Sequence, residues 1–227
     1  MEVIKSVINH VGFFDGIDSV GQKLASLALP VLLSAGCIML TSNAAVASVV
    51  RAVTVADLVS QSALIFEGEV TGIKTHSNGA NSMIHTLVTF QVAKVISGTL
   101  QNNPLVLSYM GGELDGKVLM VGGMTIPTVG EEGLFFVEQL GRTQVHPLTG
   151  WSQGHFLIRK DSTGKKRVFA ANGLGVTALT QGKKDVAFKM SKGIAIGVKT
   201  VSGDDLDSVL SLKDFNTRLK NIMAENK

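Results

Sequence analysis

Gly150-Trp-Ser-Gln-Gly154 carries the letters of the G-x-S-x-G nucleophile elbow. That elbow works because a strand turns sharply into a helix and exposes the serine, with an acid and then a histidine later in the chain. Here residues 155–159 (His-Phe-Leu-Ile-Arg) read as a strand, and no histidine lies beyond His155. A serine hydrolase using Ser152 and His155 is therefore the least favoured function. Gly173-Leu-Gly175-Val-Thr-Ala178 mimics a dinucleotide loop but lacks the helix and βαβ unit that such a loop needs. His76, His85, His146 and His155 stand at no zinc-ligand spacing, so a zinc peptidase is not supported. Scattered surface histidines are the simplest reading; an approach of His85 to His155 across strands is the alternative. Glu113-Leu-Asp115 and Glu131-Glu132 lie in Gly-rich turns without the regular oxygen spacing of a calcium loop, and read as solvated turns. No residue is assigned a catalytic or metal-ligating role, and no cofactor is implied.

Binding is the chemistry that remains. Loops on a rigid scaffold usually carry recognition, which directs attention to the Gly-rich loops 111–133 and the turn at 150–155. Trp151, Gln153, His155, Glu113 and Asp115 are the candidate ligand contacts. Trp151 is the foremost of them, with a buried core tryptophan as its alternative. Lys165-Lys166-Arg167 comes after Ser162-Thr163-Gly164 and reads as a hairpin tip. A solvated turn is favoured there over a phosphate or acidic-lipid contact. Basic residues are not interleaved with aromatics, so nucleic-acid recognition has no footprint.

These residues need a β framework to position them. Thr54 caps a short helix over 55–60, and 63–73 then reads as a strand. A turn at Ser77-Asn78-Gly79 leads to a second long strand over 84–96, with Thr86, Val88, Phe90 and Val92 on one side. Further strands are expected at 105–110, 117–121 and 134–139, and a hairpin at 155–159 and 167–170. Short strands with turns at this spacing predict a mainly β fold: a small OB-like barrel, or alternatively a β-sandwich. Leu212, Phe215, Leu219, Ile222 and Met223 recur at helical spacing behind a Ser211/Asp214 cap. They predict a C-terminal amphipathic helix that packs on the barrel.

The N-terminal segment differs in kind. Lys23 precedes an uncharged apolar run over 24–40, and Ala45-Val-Ala47 offers a small-residue cleavage site before Ser48. Basic flank, apolar run and A-x-A site in this order are a secretory signal. The expected product is exported, periplasmic or extracellular, without a stable transmembrane span. An uncleaved anchor or acylation at Cys37 is the alternative. Cys37 is the only cysteine of the 227 residues, so cleavage leaves no thiol for disulfides, catalysis or zinc. After Ala47 the chain holds 19 basic and 15 acidic residues, a mild net charge of +4. The expected organisation is leader 1–47, barrel 48–171, an unassigned extension 172–204 and a helix within 205–227.

Asp57-Leu-Val, residues 63–70 (Ala-Leu-Ile-Phe-Glu-Gly-Glu-Val), residues 86–98, Gly111-Gly112, residues 130–136 and Gln153-Gly-His-Phe156 form an ordered set. In that order they resemble an uncharacterised exported bacterial family, in some members of which a similar segment accompanies a matrixin-type zinc peptidase domain that this chain lacks. The layout is also similar to the OB-type barrel of netrin-like domains and tissue inhibitors of metalloproteinases. Those inhibitors act through an N-terminal cysteine and disulfides, which the cleaved chain does not have, so their mechanism transfers to no residue here. The resemblance implies a fold, and a role as accessory or inhibitory partner of an exported protease. The leading expectation is a non-enzymatic binding domain of the cell envelope, its partner an unknown protein or envelope ligand.

Overall fold

The computed structural model describes residues 50–77, 83–183, 189–202 and 205–226. The chain divides into two compact units, 1–46 and 47–227. The expected leader with Cys37, the expected Ala47/Ser48 cleavage site and the tip of the turn after Ser77 lie outside the described residues. Among the described residues no helix is long and apolar enough to cross a membrane.

The protein is mainly β. An eight-stranded antiparallel sheet runs in the order β10-β9-β8-β7-β6-β1-β2-β3. Its strands are β1 (Leu64–Ser77), β2 (Ile84–Gly98), β3 (Leu105–Met110), β6 (Glu132–Val137), β7 (His155–Lys160), β8 (Lys166–Ala170), β9 (Gly175–Leu179) and β10 (Val198–Val201). A separate hairpin pairs β4 (Gly112–Leu114) with β5 (Lys117–Leu119). Helix α1 (Val55–Gln61) starts at a full capping box, in which Thr54 and Asp57 bond each other's backbone N–H. Helix α2 (Leu212–Glu225) starts at Ser211, whose hydroxyl accepts from the Asp214 N–H.

The expected barrel is not closed. β3 and β10 are the two ends of the strand order, and no ladder joins them. The centre of the sheet, β6 and the start of β1, is covered on both faces, whereas β2 and β3 bury one side only. In β6, Leu134 and Phe136 face one core, while Phe135 and Val137 face the other. β1 divides likewise, with Ile65 on the first core and Leu64 and Phe66 on the second. Val55 and Leu58 of α1 and Phe215, Leu219 and Ile222 of α2 cover the first. Met124, Ile126 and Leu140, from the long connections, pack on the second. Strands buried on both faces read as continuous apolar runs, which is why Leu64-Ile-Phe and Leu134-Phe-Phe-Val lack alternation.

Two glycines make the centre possible. Gly68 and Gly133 are register partners in the β1–β6 ladder. A Cβ on Gly68 would stand 2.8 Å from the Gln91 carbonyl and 3.0 Å from the Phe66 ring; one on Gly133 would stand 2.7 Å from the Phe156 carbonyl and 2.9 Å from the Phe135 ring. Their bare backbones let Phe66 and Phe135 lie stacked, centroids 5.2 Å apart. Residues 172–204, unassigned from the sequence, supply β9 and β10 and so extend the sheet.

Candidate binding site

Gly150 (φ 65°) and Trp151 (φ 61°) both adopt left-handed backbone, which turns the chain into a short 3-10 segment, Trp151–Gly154. Such a conformation is strained for tryptophan and has to be held by its surroundings. Here the Trp151 indole stacks on His146 at 5.4 Å and 10°. The Trp151 backbone N–H donates to the Leu148 carbonyl at 3.0 Å. Strand β7 begins directly after Gly154, so the nucleophile-elbow geometry is absent.

His146 is buried, and its Nδ1 accepts from the Leu148 N–H at 3.1 Å, which puts the proton of the neutral ring on Nε2. The Tyr109 ring meets it edge-on at 5.1 Å. Burial, then the neighbouring His155, lowers the His146 pKa to about 3. Burial, then the Glu131 carboxylate, pushes the Tyr109 phenol well up. His155 opens β7 stacked on Phe135 at 4.8 Å, its Nε2 lying 2.9 Å from Glu131 Oε1 without hydrogen-bond alignment. Tyr109 Oη and His146 Nε2 are likewise buried without an aligned partner among the described residues. Four titratable groups from four chain segments thus surround one polar spot at the end of the second core.

The sequence-derived candidates divide. Trp151 and His155 belong to this cluster. Gln153 is buried and holds the chain together: Oε1 accepts from Val53 N–H (3.0 Å), and Nε2 donates to the carbonyls of Arg51 and Gly150 (both 2.9 Å). Glu113 and Asp115 are exposed on the β4–β5 hairpin, where Asp115 (φ 50°) and Gly116 (φ 73°) form its two-residue turn. Positive φ at both centres is the type I′ geometry that favours Asp-Gly, so a turn accounts for Asp115. Among the described residues no three His, Cys, Asp or Glu side chains gather as cation ligands. The scattered-surface reading of the histidines fails for His146 and His155, both buried. His85 pairs with His76 across β1–β2, rings 5.9 Å apart, and does not approach His155. Tyr109 carried no site signal in the sequence, and His146 and Glu131 read there as solvated, because only the fold brings them to Trp151 and His155.

Acid should weaken this cluster. Unfolded histidine takes up a proton near pH 6.5 and folded His146 only near 3. Its contribution is therefore complete above pH 6.5 and is lost progressively as pH falls towards 3. Urea midpoints between pH 7 and pH 5.5 should fall for the native chain and fall less for His146→Asn. Equal slopes would remove His146 as their cause.

A groove of about 430 Å³ runs beside β3, lined by Gln101, residues 104–108, Gln139, Arg142 and Thr143 among others. Gly111 N–H bonds the Ile84 carbonyl of β2, whereas Met110 N–H bonds the Val145 carbonyl on the other side. The β2–β3 register then turns Tyr109, Leu107 and Leu105 backbone towards β2, and that of Val106 and Ser108 towards the groove. Val106 is 51% exposed. Comparison with known protein families, curated proteins and solved structures finds no match for this chain.

Proposed function

We propose that the domain is an exported, non-enzymatic binding module of the cell envelope that holds an extended peptide segment along β3. Export rests on the basic flank, apolar run and A-x-A site of the leader. The observation that carries the peptide reading is the open edge of β3. Among the described residues, the outward N–H and C=O groups of Val106 and Ser108 have no hydrogen-bond partner, and they face a groove. An added strand supplies partners for such groups, its main chain giving affinity and alternate side chains giving selectivity. The Val145 carbonyl on Met110 already occupies one end of the edge, which limits the added strand to a few residues. Exposed Arg142 at the groove favours a peptide with a carboxylate beside its apolar contact to Val106.

Proline at position 106 tests this cleanly. It removes an N–H that faces the groove and leaves the β2 ladder, made by the odd-numbered residues, in place. Peptides selected from a displayed library on the full chain should be extended and acidic. They should bind Val106→Ile, which keeps the N–H and the apolar contact, normally and Val106→Pro about tenfold or more weakly. Equal binding to both variants, or a library that yields no binder, would overturn the reading.

A further inference from the structure

The cationic turn singled out in the sequence does not stand alone. Arg167 turns inward, its guanidinium bonding Asp161 Oδ2 (2.9 Å) and the Val209 carbonyl (2.8 Å). Lys165 and Lys166 instead line a groove of about 630 Å³, together with Lys94 of β2 and with Lys213 and Lys220 of α2. Lysines from three distant stretches of chain thus converge on one concavity, where a merely solvated charged face would spread them apart. Two are compensated: Lys94 pairs with Glu67 at 3.2 Å and Lys166 with Glu132. Lys165, Lys213 and Lys220 have no carboxylate at ion-pair distance among the described residues. Like charges gathered in a concave site repel one another and concentrate anions.

The groove also contains acceptors. Asn216 gives its Nδ2–H to Glu67 Oε1 at 2.7 Å, which fixes its amide orientation and leaves Oδ1 buried without a donor. The Glu67 side chain is itself only 13% exposed. A bare inorganic anion satisfies the lysines and leaves Asn216 Oδ1 unmet, whereas a hydroxyl on a carbon chain adjoining the anion donates to it. We propose that this groove binds a phosphorylated polyol, its phosphate on Lys165, Lys213 and Lys220 and one hydroxyl donating to Asn216 Oδ1. The site shares no residue with the groove beside β3 and stands independently of the peptide reading.

Glycerol 3-phosphate, titrated into the full chain at low ionic strength, should bind saturably and about tenfold more tightly than inorganic phosphate or glycerol. Lys165→Ala/Lys213→Ala changes only exposed side chains and should weaken it at least about tenfold, with an unchanged thermal midpoint. Asn216→Leu should bring glycerol 3-phosphate down to the level of inorganic phosphate. Vesicles of phosphatidylglycerol and of phosphatidylcholine separate the two sources of this chemistry, since every variant carries the same leader. Lysine-dependent sedimentation with phosphatidylglycerol alone identifies a lipid headgroup. Glycerol 3-phosphate binding without any lysine-dependent vesicle difference identifies a soluble ligand. No saturable binding to either, an equal affinity for inorganic phosphate, or indifference to the lysine variant overturns the proposal.

Discussion

Phe135→Ala is expected to lower the unfolding free energy by about 3–5 kcal/mol, the range for deleting a fully buried ring. Phe135 has no exposed surface and sits where three rings converge. Phe66 stacks on it at 5.2 Å, Phe90 meets it at 4.7 Å and 64°, and His155 covers it at 4.8 Å. The neighbours cannot collapse into the void, because Gly68 and Gly133 already hold the adjoining backbones at close range. Phe135→Leu keeps most of the volume and should cost clearly less. Urea denaturation with a common slope measures both. A loss below about 1 kcal/mol for the alanine variant would mean that this core is not packed as described. The same deletion frees one face of His155 and so loosens the polar cluster as well.

Gln153→Ala is expected to cost about 2–3 kcal/mol, since it strands a donor and two acceptors in part-buried surroundings. The carboxamide joins the turn at Gly150 to the segment 51–53, about a hundred residues earlier in the chain. That segment in turn exchanges backbone bonds with residues 189–196, through Ala52 N–H to Lys189 O and Ile196 N–H to Val53 O. The Val53 amide should therefore exchange its hydrogen faster in the variant, beyond what the global loss predicts. Gln153→Glu should be worse, because a carboxylate oxygen would face the carbonyls of Arg51 and Gly150. A ligand contact behaves oppositely: its removal weakens binding and leaves stability unchanged. Stability and hydrogen exchange together decide which description of Gln153 holds.

Much of the framework is legible locally. β3 has the expected bounds 105–110, and α1 exceeds its expected range by one residue. The alternation of Thr86, Val88, Phe90 and Val92 corresponds to one buried side of β2. Phe215, Leu219 and Ile222, read from their spacing, are the residues α2 buries. Backbone periodicity reports such faces because side chains repeat every two residues in a strand and every three to four in a helix. β9 and β10 escaped notice because strands of five and four residues, set among glycines, carry too little alternation to register.

The sequence by itself determined the class of fold, the strand faces, the helix caps and two members of the polar cluster, Trp151 and His155. Each of these depends on a residue's own type and its near neighbours. Only the tertiary structure decided that the sheet stays open, since closure depends on how distant strands tilt and pair. It also decided that Gln153 binds backbone, that Tyr109, Glu131 and His146 join Trp151 and His155, and that scattered lysines share one groove. Those meetings depend on which strands become neighbours, and side-chain periodicity assigns a face without naming the neighbour across it.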